Sequence, residues 1–259
     1  MFSKILIANR GEIAARIIRT SRRMGLKTVA VYSDADRFTR AVDLADEAVR
    51  LGPAPAAESY LDIEAIVAAC KSTGAEAVHP GYGFLSENAG FAERLAAEGI
   101  AFIGPTPEQL RVFGLKHTAR AVAAANGVPL LPGSDLIDSE AQALAEAERI
   151  GYPVMLKSTA GGGGIGMQLA ENPAELKAKY ETVKRLATGS FGDARMYLER
   201  FVAAARHVEV QIFGDGKGGV VALGERDCSL QRRNQKVVVE TPAPGLSPDV
   251  RNILREAAL

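Results

Sequence analysis

Between residues 4 and 103, short apolar runs alternate with longer segments whose apolar residues recur every three or four positions. The first pattern is typical of buried strands, and the second is typical of helices packed on a sheet. The predicted strands are 4–8, 28–32, 75–79 and 101–103, and the predicted helices are 12–24, 61–70 and 88–98. This βαβ alternation predicts an α/β domain with a parallel sheet. Ligands of such sheets gather at the carboxyl ends of strands, where residues 9–12 and 79–83 fall.

After a turn-rich break at residues 104–107, the pattern changes, and it becomes rich in strands from about residue 151. The predicted strands are 152–156, 167–170, 196–200, 207–213 and 220–223, and the predicted helices are 116–126 and 173–187. Near the end, Ser247, Pro248 and Asp249 form an N-cap, a first-turn proline and an acidic first turn. The helix they begin runs to Leu259 without a stop signal, so we expect a sequence cut inside an element.

Composition narrows the class of protein. The chain has 259 residues, of which 47% are hydrophobic and 24% charged, and its 31 Lys and Arg balance 31 Asp and Glu. These values are ordinary for a globular enzyme, and they give no global charge that would favour nucleic acid or a membrane surface as a partner. We see neither a signal peptide nor an apolar stretch of membrane-spanning length. Cys70 and Cys228 lack metal-ligand spacing, so we expect reduced thiols in a cytoplasmic protein.

A lysine followed by a glycine run stands between two predicted strands. Lys157 closes the first strand, and glycines occupy positions 161–164 and 166. Glycine backbones can bring their N–H groups against an anion, and lysine adds a point charge. A flexible linker is the alternative, but the hairpin-like placement favours a lid over nucleotide phosphates. The spacing is neither a Walker A loop nor a dinucleotide-binding fingerprint.

Two polar groups of residues follow. In strand 207–213, His207, Glu209 and Gln211 share one face, which is either a structural polar face or the wall of a cleft. Residues 224–236 are mostly polar between apolar flanks, and they form either a solvated loop or an oxyanion site built on Arg232, Arg233 and Lys236. We expect Cys228 within them to be a packed thiol rather than a nucleophile.

Four motifs together resemble a known family. They are Ile7-Ala-Asn-Arg-Gly-Glu-Ile-Ala14, His79-Pro-Gly-Tyr-Gly-Phe-Leu-Ser-Glu-Asn88, Lys157 with its glycines, and Glu225-Arg-Asp-Cys-Ser-Leu-Gln-Arg-Arg-Asn-Gln-Lys236. In this order they are similar to the biotin carboxylase component of biotin-dependent carboxylases, in register from Phe2 to about Pro244. The resemblance implies a Rossmann-like N-terminal domain at 1–112 and an incomplete ATP-grasp domain at 113–259, with a lid at about 130–203.

The family carboxylates biotin with Mg-ATP and bicarbonate through carboxyphosphate. By motif position, the resemblance implies that Lys116 and Lys157 contact the ATP phosphates and that Gly163 and Gly164 cover them. Glu199, Arg200, Phe201 and Val202 would flank the adenine, and His207, Gln231 and Asn234 would lie near the ribose. Lys236 would hold bicarbonate and act on the developing carboxyphosphate. Such chemistry depends mainly on positioning and on neutralisation of charge.

Three positions refine the resemblance. Leu115 precedes Lys116 where acyl-CoA and pyruvate carboxylases usually carry Asp or Ser, Ile165 replaces a usual basic residue, and Asn234 replaces a usual histidine. All three resemble urea carboxylase, and an acyl-CoA or pyruvate carboxylase subunit is the alternative. Val239 stands where the family usually has a first acidic residue before Glu240, so a carboxylate is lost beside the cationic residues of this stretch.

The resemblance also implies missing parts. We expect the magnesium ligands, the biotin carrier and the carboxyltransferase to lie outside this sequence, so that the chain has no complete metal site and does not turn over ATP by itself. A homodimer is a further expectation. A non-catalytic nucleotide-binding module is the alternative of another class. A dinucleotide-binding oxidoreductase is disfavoured, since the loop at 9–12 lacks the needed glycines.

Overall fold

The computed structural model describes residues 2–159, 166–191, 194–232 and 235–259, except for the side chains of residues 190 and 191. The chain divides into two compact units, Met1–Gly114 and Leu115–Leu259. The predicted residues Gly163, Gly164 and Asn234 lie outside the described residues, as do Ile165 and Arg233.

The first unit is an α/β domain. Its strands are β1 (Lys4–Ile7), β2 (Lys27–Ser33), β3 (Glu47–Gly52), β4 (Ala77–His79) and β5 (Ala101–Phe102). Its α-helices are α1 (Gly11–Arg23), α2 (Arg40–Leu44), α3 (Ile63–Thr73), α4 (Ala89–Ala97) and α5 (Pro107–Gly114). The strands form one sheet in the order β3-β2-β1-β4-β5, and every described pair in it is parallel. The predicted fold class is therefore confirmed.

The sheet has buried apolar clusters on both of its faces, because successive side chains of a strand point in opposite directions. Leu6 of β1 packs with one cluster, beside α3 and α4, and Ile5 and Ile7 pack with the other, beside α1. The buried positions of α1 recur at helical spacing, which explains why its other face can be rich in arginine.

Strand β1 is central in the sheet, with β2 and β3 on one side of it and β4 and β5 on the other. The two loops at this edge are joined by Asn9, a buried residue whose Nδ2 donates hydrogen bonds to the carbonyl oxygens of Pro80 and Tyr82, both at 2.8 Å. Gly81 packs directly on that amide, since a Cβ there would lie 2.7 Å from Asn9 Nδ2. The loops that follow the carboxyl ends of β1 and β4 are thus in contact.

The second unit contains two separate antiparallel sheets. Its strands are β6 (Val154–Ser158), β7 (Met167–Ala170), β8 (Met196–Arg200), β9 (Val208–Gly214), β10 (Val220–Arg232) and β11 (Gln235–Glu240). Its helices are α6 (Lys116–Ala125), α7 (Glu140–Ile150), α8 (Pro173–Phe191) and α9 (Pro248–Ala258). The sheet orders are β7-β6-β8 and β11-β10-β9. The hairpin predicted around the glycine run is observed as the antiparallel pairing of β6 with β7.

The sheet β7-β6-β8 has its own apolar core. Val154 and Leu156 of β6 and Leu198 of β8 are fully buried against residues of α7 and α8. A solvated loop was one of the two alternatives for residues 224–236, and the described residues of this stretch do not form one, since β10 runs through Arg232 and β11 begins at Gln235. Backbone pairing with β9 on one side and β11 on the other keeps this polar stretch extended.

The terminal helix begins as predicted. The Ser247 hydroxyl accepts a hydrogen bond from the Val250 amide, and Pro248 occupies the first turn of α9. Such a cap satisfies one of the amides that a helix leaves unpaired at its start. Within the described part of the chain, no helix combines the length and the apolar character that crossing a membrane requires.

Candidate functional site

Lys157 and Glu199 are brought together by the register of β6 and β8. Met155 pairs with Glu199 and Lys157 pairs with Tyr197 across these antiparallel strands. Lys157 and Glu199 are therefore diagonal neighbours on one face of the sheet, while Leu156 and Leu198 point to the core. The Lys157 ammonium donates to Glu199 Oε2, and the two side chains are only 24% and 18% exposed.

Helix α6 adds two more cations to the same place. Lys116 and Arg120 are four residues apart, so they lie on one face of the helix. Arg120 Nη1 donates to the other oxygen of Glu199, Oε1, at 2.9 Å. Burial lowers the pKa of Lys116, the charge of Lys157 lowers it further, and Glu199 partly offsets both. We call Lys116, Arg120, Lys157 and Glu199 the β6–β8 cluster.

The segment after Glu199 is held by backbone contacts. The Arg200 amide donates to the Pro132 carbonyl at 2.8 Å, and the Phe201 amide donates to the Pro153 carbonyl at 2.9 Å. The Arg200 guanidinium donates to the Ile150 carbonyl at 3.2 Å, whereas Val202 is 42% exposed. The four residues predicted to flank an adenine are thus placed consecutively at the end of β8, on a well-supported backbone.

A second group of predicted residues gathers around Glu209, which was not among the predicted site residues. Arg226 lies opposite Glu209 across β9 and β10, and Gln231 lies opposite Lys236 across β10 and β11. Glu209 accepts a hydrogen bond from the Lys236 ammonium and one of 2.8 Å from Arg226 Nη2. We call Glu209, Lys236, Arg226, His207 and Gln231 the β9–β11 cluster.

His207 completes this cluster. Its Nε2 lies 3.1 Å from Glu209 Oε1, and its Nδ1 lies 2.7 Å from Gln231 Nε2. Burial by itself would raise the pKa of Glu209, but the hydrogen bond and charge of Lys236, with Arg226 and His207, lower it. The signal for Glu209 in the sequence was its place between His207 and Gln211 on the polar face of β9.

The two clusters differ in what they can bind. The β6–β8 cluster combines three cationic side chains with one carboxylate, so it has excess positive charge in a partly buried setting. Repulsion between the ammonium groups of Lys116 and Lys157 would be relieved by a polyanion such as a nucleotide triphosphate, so the residues present fit that ligand. In the β9–β11 cluster, one carboxylate orients several donors, which suits a small planar oxyanion.

The described residues do not fit a complete magnesium site. No group of three or more His, Cys, Asp or Glu side chains that could hold a metal ion occurs among them. Two concavities, of about 480 and 390 Å³, are lined by residues of the first unit that include Gly11 and Glu12, and no predicted site residue lines either of them. The side-chain chemistry, rather than the size of a cavity, identifies the candidate site.

Two family models match this chain. Residues 1–110 match the biotin carboxylase N-terminal domain, and residues 116–259 match the ATP binding domain of the carbamoyl-phosphate synthase L chain. These matches account for both compact units of the fold.

Curated relatives carry several activities. The chain is 54% identical to a urea amidolyase of Lachancea kluyveri over 99% of its own length and 14% of that protein. It is 53% identical to the mitochondrial methylcrotonoyl-CoA carboxylase subunit alpha of Mus musculus, over 99% of its own length and 36% of that subunit. The chain therefore spans well under half of each of these proteins.

A solved structure is similar over the whole chain. It is the biotin carboxylase domain dimer of the Hydrogenobacter thermophilus 2-oxoglutarate carboxylase, in complex with MgADP, ADP and bicarbonate. The TM-score is 0.95 at 44% identity, and the match covers 100% of this chain and 57% of that one.

Proposed function

The chain belongs to the biotin carboxylase family, and on this basis we propose that it supplies nucleotide-binding and bicarbonate-binding residues to an ATP-dependent ligase that carboxylates biotin. The observation that carries the proposal is the β6–β8 cluster, where excess positive charge lies next to the backbone that follows Glu199. Its chemistry matches a nucleotide whose phosphates meet the lysines and whose base meets the end of β8.

We assign the nucleotide contacts by this geometry and the family motifs. Lys116 and Lys157 bind the phosphates, Gly163 and Gly164 lie over them, and Glu199, Arg200, Phe201 and Val202 flank the adenine. His207, Gln231 and Asn234 lie near the ribose. In support, His207 and Gln231 already contact each other at 2.7 Å, which fixes both polar groups on one face of the sheet.

We assign bicarbonate to Lys236. Glu209 holds the Lys236 ammonium in place, and its own lowered pKa keeps this carboxylate ionised at neutral pH. In the proposed reaction, a bicarbonate oxygen forms a bond to the γ-phosphorus, and the bond to the ADP oxygen breaks. The carboxyphosphate formed then breaks its bond between phosphate and carboxyl, its CO₂ unit bonds to a biotin nitrogen, and the released phosphate takes up the proton that this nitrogen loses. Lys236 offsets the negative charge on the transferring groups.

The final carboxyl acceptor is the finer part of the proposal. We favour urea, because Leu115, Ile165 and Asn234 resemble urea carboxylase. Identity alone does not separate the candidates, since the urea amidolyase and the methylcrotonoyl-CoA carboxylase are 54% and 53% identical to the chain. ADP release by the full-length gene product, measured with urea, propionyl-CoA or pyruvate, distinguishes them. Stimulation by an acyl-CoA or pyruvate but not by urea would reject the assignment.

We propose the partners and the domain organisation that this reaction requires. A biotinylated carrier and a carboxyltransferase are required for the full reaction, and magnesium is required with ATP. We also propose a homodimer, in agreement with the dimer of the similar biotin carboxylase domain. The domain boundary lies near residue 113, with a lid over about 130–203 that includes α7, α8 and the sheet β7-β6-β8. The two free, buried cysteines are consistent with a cytoplasmic protein.

Titration calorimetry of the 259-residue chain with ATP tests the nucleotide site. We expect binding by the wild-type chain and about tenfold to hundredfold weaker binding by Lys157→Met, which removes a charge-assisted phosphate contact. Lys217→Met, which changes an exposed loop lysine of the same unit, is the matched control and is expected to bind as the wild type does. The absence of ATP binding, or equal affinities of the wild type and Lys157→Met, would reject the proposal.

A further inference from the structure

The Glu199 carboxylate has two cationic partners from different parts of the second unit. Lys157 of β6 contacts one oxygen, and Arg120 of α6 contacts the other. All three side chains are less than a quarter exposed. Each charge in this setting costs free energy when it loses its partner, more than it would on an open surface.

Arg120 is held in place by more than Glu199. Its Nη2 also donates a hydrogen bond to the carbonyl oxygen of Leu131. The backbone at Gly133 packs so closely that a Cβ there would lie 2.6 Å from Arg120 Nη2 and 2.9 Å from the Leu198 carbonyl oxygen. The planar guanidinium is thus fitted between the 131–133 segment and β8, and it presents its Nη1 to the carboxylate.

Phosphate binding by Lys157 would disturb this arrangement. The Lys157 ammonium is paired with Glu199 in the structure, so a nucleotide phosphate must take over that ammonium. Glu199 would then be a partly buried carboxylate near a polyanion, and its repulsion would oppose binding. A second, fixed cation on the same carboxylate removes most of this penalty.

We propose that Arg120 is a positioning residue that retains and neutralises the Glu199 carboxylate when Lys157 moves to the nucleotide phosphates. The inference rests on the proposed nucleotide site and deepens it. Arg120 acts through Glu199 and does not itself contact the phosphates. Because Glu199 has two partners, it can neutralise the charge of Lys157 in the free protein and release Lys157 to the ligand while it stays paired with Arg120.

A double-mutant cycle on ATP affinity, measured by calorimetry with the 259-residue chain, tests this role. Arg120→Met leaves Glu199 with Lys157 alone, so we expect about tenfold weaker binding of ATP. In the Glu199→Gln background there is no carboxylate to retain, and we expect Arg120→Met to change affinity by less than about twofold. Equal losses in both backgrounds would show a direct contact of Arg120 with ATP and would overturn the inference, as would no loss in either.

Two further variants separate positioning from simple support of the fold. Arg149→Met is the matched control, because Arg149 also donates to this segment, at the Gly133 carbonyl (2.8 Å), but pairs with Glu146 rather than Glu199. We expect it to leave ATP affinity unchanged. A loss equal to that of Arg120→Met would mean that Arg120 only supports the fold of the 131–133 segment.

Arg120→Lys keeps a charge but cannot bridge both acceptors, so we expect about threefold weaker binding of ATP, again only with Glu199 present. It replaces Arg120→Met in the cycle if that variant does not fold.

The outcomes distinguish this inference from the proposed function. If the wild-type chain does not bind ATP, the nucleotide site itself is rejected. If the wild type binds ATP and the effects of Arg120 and Glu199 are additive, only the positioning role is rejected.

Discussion

The sheet β7-β6-β8 buries its apolar side chains under helices, whereas the sheet β11-β10-β9 leaves many of its own exposed. Leu156 and Leu198 of the first sheet are fully buried. In the second sheet, Leu230 is 60% exposed and Val238 is 48% exposed, and within it only Cys228 falls in the buried class among the described residues. Two antiparallel three-stranded sheets of the same unit are thus stabilised in two different ways.

The difference lies in what covers each sheet. Apolar burial is the main source of stability for β7-β6-β8. In β11-β10-β9, the described side-chain contacts are chiefly polar, including the contacts of Glu209 and the hydrogen bonds of Arg206 to Asp227. Of the two clusters, the β6–β8 cluster therefore lies on a scaffold that is rigid through packing, and the β9–β11 cluster on one that depends on its own charges.

Truncation of one apolar residue in each sheet should give the largest contrast. Leu156→Ala leaves a cavity in a packed core, so we expect the free energy of unfolding to fall by about 2–5 kcal/mol. Val238→Ala removes an exposed side chain and is expected to change it by less than about 0.5 kcal/mol. Urea denaturation of both variants measures these values. Similar losses would mean that Val238 is packed in solution, and the comparison would fail.

Neutralisation of Glu209 should loosen only the second sheet. Glu209→Gln leaves Lys236 and Arg226 without their carboxylate, and we expect the free energy of local opening of β9–β11 to fall by about 1–3 kcal/mol. Amide hydrogen exchange measures this, and the amides of β6–β8 are expected to keep their protection. Glu175→Gln, which breaks a half-buried pair with Lys179 one turn further along α8, is the control. Equal loosening of both sheets would contradict the difference.

The pH dependence of ATP affinity should give the smallest effect, and it belongs to the first sheet. Because the pKa of Lys116 is lowered, its charge is lost at lower pH than that of an ordinary lysine. The charged form binds phosphate, so affinity should fall as pH rises through this lowered pKa, by about threefold to tenfold. Lys116→Arg keeps its charge and is expected to flatten the profile. If ATP affinity depends on pH in the same way in the wild type and in Lys116→Arg, Lys116 does not contact the phosphates.

Local patterns predicted those elements whose signals are local. The strands at 167–170 and 196–200 and the capped helix after Ser247 are found at the predicted positions. Strand β3 and helices α2 and α7 were missed. Helix α7 has a Ser139 N-cap but a run of alanine and glutamate in place of a clear apolar stripe. The family prediction, which depended on four motifs rather than on single elements, is confirmed by the two family models.

Only those residues of the candidate site that belong to a local sequence motif could be predicted from the sequence. Lys157 lies at the end of a strand and precedes a run of glycines, so sequence alone identified it as a site residue. Its pairing with Glu199 follows from strand register, and Arg120 joins them from 79 residues away in the chain. Such long-range contacts depend on the packing of whole elements, which no local pattern encodes. The ligand roles of the site residues stay predictions.

The buried Asn9 amide limits how segments of this domain can be exchanged with those of a relative. A chimera joined between β1 and β4 would take residue 9 from one parent and residue 81 from the other. Gly81 has a φ of +66°, and there is no room for a Cβ beside Asn9. A parent with any other residue at position 81 would therefore place a side chain against the Asn9 amide of this chain. Crossover points in recombined versions of this domain should therefore keep the loop after β1 and the loop after β4 from the same parent.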